Sequence, residues 1–190
     1  MAYTRRDFLK HLPLIPAATG LTASGCGEPE TIEKTIYDGV IDGKRVVYSQ
    51  IEASTLFSGS SVEGVLRIYQ SNDPNSGLEK EIRTLDPTRG AFFRHDVMKL
   101  TGSIVDEAEV YHGNKKERFE VSSHDILGGV DFTYTDTNGN TFSNRDKEIM
   151  ARSKVSASFQ RFIELGQEYN TLIQKIDEQN RQSFGLQPNK

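Results

Sequence analysis

The chain has 190 residues, one cysteine, no tryptophan and a formal net charge of −4 at pH 7. A single cysteine excludes an intramolecular disulfide and a metal site built from several cysteines. The negative charge argues against a protein that binds nucleic acid or an anionic membrane surface by charge alone.

Residues 1–25 have the three parts of an export signal: a basic start, a short apolar run and small residues before a cut site. The apolar run contains Pro13 and Pro16. It is too short to cross a bilayer as a helix, which takes about 20 apolar residues. The alternative is a soluble protein that begins with an amphipathic helix. The basic start reads Thr4-Arg5-Arg6-Asp7-Phe8-Leu9-Lys10.

This heptapeptide resembles the twin-arginine (Tat) signal pattern, Ser/Thr-Arg-Arg-x-Phe-Leu-Lys, at every specified position. Two adjacent guanidinium groups can each make forked hydrogen bonds to receptor carboxylates, a geometry that lysine cannot reproduce. The resemblance implies that the Tat translocase exports the protein in a folded state. The residues expected to carry the signal are Arg5, Arg6, Phe8, Leu9 and Lys10.

The signal ends in Leu21-Thr22-Ala23-Ser24-Gly25-Cys26, which resembles the lipobox of bacterial and archaeal lipoproteins. Ala23 departs from that pattern, because leucine is favoured three residues before the cysteine. The resemblance implies a diacylglyceryl group on Cys26, and two acyl chains suffice for stable anchoring. We therefore expect a lipid anchor at the outer face of the cytoplasmic membrane or at another envelope membrane. The alternative is ordinary cleavage near Gly25, which gives a soluble periplasmic or extracellular protein.

Loss of residues 1–25 would make the remaining chain more acidic. That segment contains three of the 23 basic residues and one of the 27 acidic residues, so the net charge becomes −6. Residues 26–33 are polar and are expected to form a tether. One domain is then predicted over 34–182, followed by a tail over 183–190.

Residues 34–143 are predicted to form β-strands joined by short turns. Asp42-Gly43 and Asn138-Gly139 each separate two β-prone runs and predict tight hairpins. Ser58–Ser61 predicts a loop. Further strands are expected over 65–69, 78–85, 91–94, 104–111, 117–121 and 130–135. Strand after strand without an intervening helix predicts an antiparallel β-meander, either an open sheet or a small barrel.

Residues 144–182 are predicted to form one long amphipathic helix. Ser143 or Asn144 can cap its start, and Glu148 and Arg152 are spaced for an ion pair. Gly166 predicts a close contact or a local kink. The apolar stripe of this helix is expected to pack against the chain's own sheet, which gives an α+β fold. The alternative is that it packs against a helix of another chain, as in self-association. Its large residues, at spacings that keep them on one face, are Val155, Phe159, Phe162, Tyr169, Ile173 and Ile176.

Two segments are similar to parts of functional motifs. Asp136-Thr137-Asn138-Gly139-Asn140 resembles the start of a calcium-binding EF-hand loop, but glycine falls at the fourth position instead of the sixth. A hairpin turn is the prediction there. Gly59–Gly64 is similar to the Gly-x-Ser-x-Gly nucleophile elbow, with the second glycine one residue late. We interpret it as a loop, and no cofactor motif is visible.

Histidines and carboxylates are the remaining candidates for catalytic or metal-binding residues. The histidines that follow the signal do not have the i, i+4 spacing of a helical zinc site, so a metal would need separate loops to converge. Asp106, Glu107 and Glu109 form an acidic patch that we expect on a solvated strand face. The histidines in question are His95, His112 and His124.

These features favour a lipid-anchored, non-catalytic protein that binds a protein or a small ligand at the cell envelope, with no nucleic-acid partner. The alternative is an exported hydrolase or metal-binding protein that uses the three histidines or a pair of carboxylates. Convergence of the histidines, or of two carboxylates about 5 to 9 Å apart, in one concave pocket favours the enzyme. Dispersed positions together with an exposed apolar patch favour the binding protein.

Overall fold

The computed structural model describes residues 30–55, 59–84, 91–123 and 130–183. Within these residues, eight strands and two helices follow one another along the chain. The strands are β1 (Glu30–Ile41), β2 (Lys44–Thr55), β3 (Gly59–Tyr69), β4 (Leu78–Thr84), β5 (Val105–His112), β6 (Lys115–Ser123), β7 (Val130–Thr135) and β8 (Thr141–Ser143). The helices are α1 (Ala91–Thr101) and α2 (Ile149–Ser183).

The eight described strands form one antiparallel sheet in which the order in sequence is also the order in space. Among the described strands, β1 pairs with β2 alone and β8 with β7 alone, so the sheet is open. Helix α2 packs across one face of it. The predicted α+β fold, an antiparallel meander under one long C-terminal helix, is confirmed. Of the two predicted forms, the structure has the open sheet.

Two tight turns occupy their predicted positions. Asp42 and Gly43 join β1 to β2 with φ angles of 52° and 79°, in the left-handed region that a two-residue hairpin requires. Before β8, the Asp136 carboxylate accepts hydrogen bonds from the backbone N–H groups of Asn138 and Asn140, each at 2.9 Å. Asp136 is therefore a turn residue. The prediction of a hairpin for this EF-hand-like segment is confirmed.

Two segments predicted to be irregular lie in strands. β1 begins at Glu30, inside the predicted tether, and pairs there with the end of β2. β3 begins at Gly59, so the predicted loop is wrong from that residue onward. Gly64, the second glycine of the elbow-like segment, lies within β3. A Cβ on Gly64 would lie 3.0 Å from the Tyr48 hydroxyl and 3.1 Å from the Tyr169 hydroxyl, so this glycine permits close packing under α2.

A helix stands where a short strand was predicted. The segment 91–94 forms the first turn of α1, so the predicted strand is wrong, and so is the expectation of a meander without an intervening helix. Phe93 is half-buried, and Val97 and Thr101 are buried. This four-residue spacing is a helical period that a four-residue window cannot reveal. Gly102, with a φ of 69°, follows the end of the helix.

Helix α2 begins five residues later than predicted. Its first turn includes a hydrogen bond from the Arg152 N–H to the Glu148 carbonyl at 3.0 Å. The Ser143 N–H donates to the Asp146 carboxylate at 2.7 Å, and the Asp146 N–H donates back to the Ser143 carbonyl at 3.0 Å. The predicted cap at Ser143 or Asn144 is therefore wrong, because these residues belong to a separate turn before the helix.

Helix α2 runs across the strands from the β8 side of the sheet toward the β1 side. Early in the helix, Phe159 packs edge-on against a phenylalanine of β7, with ring centroids 5.0 Å apart. In the middle, Glu168 accepts a hydrogen bond from Lys80 of β4 at 2.7 Å. Near the end, Gln179 accepts a hydrogen bond from the hydroxyl of Tyr37 in β1. One helix thus covers the apolar face of most of the sheet.

The predicted apolar stripe packs on the chain's own sheet. Leu165 and Leu172, which the stripe did not include, are buried as well. A Cβ on Gly166 would lie 2.8 Å from the Cβ of Ser103, so the predicted close contact is present. These contacts support the first of the two alternatives, packing within the chain. Four of the six predicted positions are buried, namely Val155, Phe162, Tyr169 and Ile176. The other two, Phe159 and Ile173, are half-buried.

Candidate functional site

The two described histidines lie on different elements. His95 is in α1 with 74% of its side chain exposed, and its Nδ1 lies 3.6 Å from the Asp96 carboxylate. His112 ends β5 and lies beside Glu117 of β6. His124 is outside the described residues. Within the residues that the structure describes, no group of three His, Cys, Asp or Glu side chains could hold a metal ion.

The Glu117 carboxylate of β6 forms hydrogen bonds with side chains from three other elements. Its Oε1 accepts a hydrogen bond from the Tyr134 hydroxyl of β7 at 2.7 Å. Its Oε2 accepts one from Nη1 of Arg161 in α2 at 2.6 Å, and His112 Nε2 lies 3.1 Å from the same oxygen. Both carboxylate oxygens are occupied, so this cluster ties α2 to three neighbouring strands.

The pKa values in this cluster follow from burial and hydrogen bonding. Burial alone would raise the pKa of Glu117, but the hydrogen bonds from Tyr134 and His112 and the charge of Arg161 outweigh it and hold the pKa below its usual value. Burial and the hydrogen bond to Glu117 raise the pKa of Tyr134 to about 12. An ionised carboxylate with a lowered pKa is a weak proton acceptor near neutral pH, so a structural role fits Glu117 better than general base catalysis.

The face of the sheet opposite α2 carries paired charges. The strand register places Arg67, Glu81, Glu109 and Arg118 in one row across β3 to β6, alternating with the apolar positions under α2. Arg67 donates to Glu81 at 2.9 Å and to Glu33 of β1 at 2.5 Å. The sequence signal for this row is the charge at every second position of β4 and β5, which our sequence analysis missed.

The acidic patch of β5 is not the solvated surface that was predicted. Asp106 and Glu109 are buried. Glu109 accepts hydrogen bonds from Lys116 Nζ at 2.8 Å and from the Tyr111 hydroxyl at 2.6 Å. Burial, with the hydrogen bond to Glu109, raises the pKa of Tyr111. Glu107 is ion-paired too. For Glu107 and Glu109 the prediction failed because Arg118 and Lys116 of the neighbouring strand β6 pair with them, and sequence order does not reveal such partners.

An apolar cleft opens where α1, β7 and the start of α2 meet. Its volume is about 270 Å³. Most of the lining is apolar, with a few polar groups among the hydrocarbon side chains, as is usual for small-ligand sites. The lining residues are Leu100 of α1, Phe132 of β7, Asn144 of the turn before α2, and Arg152, Val155, Ser156 and Phe159 of α2.

Exposed apolar side chains occur on both helices that border the cleft. On α1, Met98 and Leu100 are each 48% exposed. At the start of α2, Ile149 is 85% exposed and Met150 is 78% exposed. Of these four residues, Leu100 also lines the cleft, and an exposed apolar patch marks an interaction site more often than a single exposed residue does. These residues lie outside the predicted apolar stripe, so the helical period of that stripe did not indicate that they would be exposed here.

Among the described lining residues of the cleft, Arg152 is the charged one. Its Nε donates to the backbone carbonyl of Asp146 at 3.1 Å. The predicted ion pair between Arg152 and Glu148 is not formed, and no carboxylate of the described residues pairs with this guanidinium. An ion pair was predicted for Arg152, whereas its two Nη atoms have no hydrogen-bond partner among the described residues.

The residues of the predicted export signal, Arg5, Arg6, Phe8, Leu9 and Lys10, lie outside the described residues, as does the predicted lipidation site Cys26. They stay predictions. Neither described helix is both long enough and apolar enough to cross a bilayer. Comparison of the chain with protein-family models, with curated proteins and with solved structures found no match.

Proposed function

We propose that this protein is exported by the Tat translocase, anchored through a lipid on Cys26, and binds a ligand without catalysis at the cell envelope. The Tat-like and lipobox-like segments support the location. The apolar cleft between α1 and α2 supports the binding role, and the proposal depends on this observation.

The placement of the titratable groups favours binding over catalysis. His112 and Glu117 belong to a hydrogen-bonded cluster that ties the helix to the sheet. Glu81 and Glu109 are held by cations on the opposite face. Among the residues that the structure describes, the cleft is lined by no histidine and no carboxylate. A site of this composition can hold an apolar ligand and orient it, but it offers no acid–base pair.

The location can be tested on the native protein. Mass spectrometry of the N-terminus is expected to find Cys26 as the first residue, with a diacylglyceryl group. Replacement of Arg5 and Arg6 by lysine is expected to stop export in a pulse-chase experiment, because lysine lacks the forked geometry. A native protein that begins at Met1, carries no acyl group and stays in the cell would contradict the proposed location.

The binding role can be tested with a neutral apolar probe. Titration of the full chain with decanol is expected to shift the amide NMR signals of Leu100, Val155 and Phe159. Ser156→Trp places a large ring in the lining and should abolish the effect. Ser153→Trp is the matched control, because Ser153 is exposed on the same helix and does not line the cleft. Equal binding by both variants, or shifts elsewhere, would contradict the site.

A further inference from the structure

We propose that the cleft selects a ligand with an apolar body of about ten carbon atoms and one terminal carboxylate, which Arg152 binds. This inference rests on the cleft being the binding site proposed above, and it adds the chemical class of the ligand. Three observations carry it: the size of the cleft, the charge in its lining and the hydrogen bonds already made by the neighbouring polar groups.

The volume of the cleft limits the size of the apolar body. An apolar cavity of roughly 150 Å³ accommodates benzene, with its six carbon atoms. At the same density, the cleft of about 270 Å³ is suited to roughly eleven non-hydrogen atoms. Leu100, Phe132, Val155 and Phe159 supply the hydrocarbon surface around them. An unbranched chain of about ten carbons has this size and leaves its polar end at the opening.

Arg152 supplies the complementary charge. Its side chain is anchored by one hydrogen bond, from Nε to the Asp146 carbonyl, which leaves both Nη atoms free of described partners. Arg152 both lines the cleft and is exposed, so it can interact with the end of a ligand that faces solvent. A guanidinium binds a carboxylate through two parallel N–H···O bonds. Because one guanidinium matches one negative charge, a monoanion fits better than a doubly charged phosphate.

The polar groups beside Arg152 do not compete with this assignment. Asn144 Nδ2 donates to the Val130 carbonyl at 3.2 Å, which holds the amide at the edge of the cleft. The Asp146 carboxylate accepts a hydrogen bond from the Ser143 N–H. The described part of the lining contains no acidic side chain that would repel a carboxylate. A bound anion would therefore complete an electrostatic interaction that the described residues leave open.

A second copy of the chain is the other occupant to exclude, because Ile149 and Met150 are exposed beside the cleft. Such a copy would have to bring an acidic side chain to Arg152. Sedimentation measurements over a wide range of protein concentration test it, and a single mass throughout is expected. A mass that rises with concentration, together with a fall when Ile149 is changed to Ser, would overturn the proposal of a small ligand.

The decisive experiment compares three probes with the same ten-carbon tail: decanoate, decanol and decylammonium, each below its micelle concentration. NMR titration of the full chain is expected to place all binding at the cleft, with decanoate about tenfold tighter than decanol, as for a hydrogen bond to a charged group. Decylammonium should bind more weakly than decanol. Arg152→Gln should bring decanoate to within about twofold of decanol.

The matched control is Lys147→Gln, which removes the same charge from an exposed residue near the start of α2 that does not line the cleft. It should keep the preference for decanoate. If decanoate and decanol bind the wild-type cleft equally, the role of Arg152 is wrong and the cleft stands as an apolar site. If no probe perturbs the cleft, both this inference and the proposed binding role fail.

Discussion

The middle of α2 and its first turns differ in how many of their side chains are buried or paired with other residues. In the middle, Phe162 is buried against the sheet and Arg161 pairs with Glu117. At the start, Ile149 is exposed and Arg152 has no carboxylate partner among the described residues. The middle therefore stabilises the fold, whereas the start leaves apolar surface exposed, next to the cleft that we propose as the ligand site.

The largest expected effect is on packing in the middle of the helix. Phe162→Ala should lower the free energy of unfolding by about 3 to 5 kcal/mol, because it leaves a cavity among Phe119, Phe132 and the helix. Phe159→Ala should cost roughly half as much, since Phe159 is half-buried beside an existing cleft. Urea unfolding measures both. Equal losses would show that the two parts of α2 are packed alike.

A smaller, pH-dependent effect is expected at Glu117. In the folded protein the pKa of Glu117 lies below its usual value, so the ionised carboxylate contributes stability above the unfolded pKa of about 4.3. That contribution is lost as the pH falls through the folded pKa. Glu117→Gln should cost about 2 kcal/mol at pH 7, and the difference from wild type should shrink below about pH 4.

The control for this measurement is Glu164→Gln, which removes a carboxylate exposed on the same helix. It should leave the dependence of stability on pH close to that of wild type. A constant difference between Glu117→Gln and wild type from pH 7 to pH 3 would show that the Glu117 charge does not stabilise the junction between helix and sheet.

The smallest effect on stability is expected at the cleft. Arg152→Gln should change the free energy of unfolding by less than about 0.5 kcal/mol, because it breaks no ion pair among the described residues. Arg161→Gln, the same substitution nine positions along the helix, should cost about 1 kcal/mol through its bond to Glu117. Thermal unfolding of the two variants measures the two losses of stability. A larger loss for Arg152 would assign it a structural role in place of ligand binding.

The hairpins and the long helix could be predicted because their signals are local. Asp42-Gly43 and Asn138-Gly139 supply the backbone freedom that tight turns require. The stripe from Val155 to Ile176 keeps a helical period over six turns. Neither signal depends on where the rest of the chain lies.

Helix α1 and the start of α2 could not be predicted correctly, because short windows mislead. The pair Phe92-Phe93 suits a strand in isolation, and the helical period appears only when Val97 and Thr101 are included. Ser143 suits a cap by residue type, but its backbone is held by Asp146 in a turn that precedes the helix. In both segments two local structures are possible, strand or helix in the first and helix cap or turn in the second, and packing against the rest of the protein decides which one forms.

The charged face and the cleft depend on strand register and on contacts between distant segments. Glu81 finds Arg67 because β3 and β4 pair in one particular register. Leu100 and Val155 border one cleft although 55 residues separate them in the sequence. No pattern of neighbouring residues in the sequence predicts this strand register or this contact between α1 and α2.

Most of the strands, the two tight hairpins and the amphipathic C-terminal helix follow from the residues alone, because turn chemistry and apolar periodicity act between neighbours in the chain. The covered carboxylates of β5, the cleft beside α1 and the guanidinium of Arg152, which has no carboxylate partner among the described residues, arise only in the folded protein. They depend on which side chains meet across the sheet and which do not, and in this chain the partners come from segments far apart in sequence.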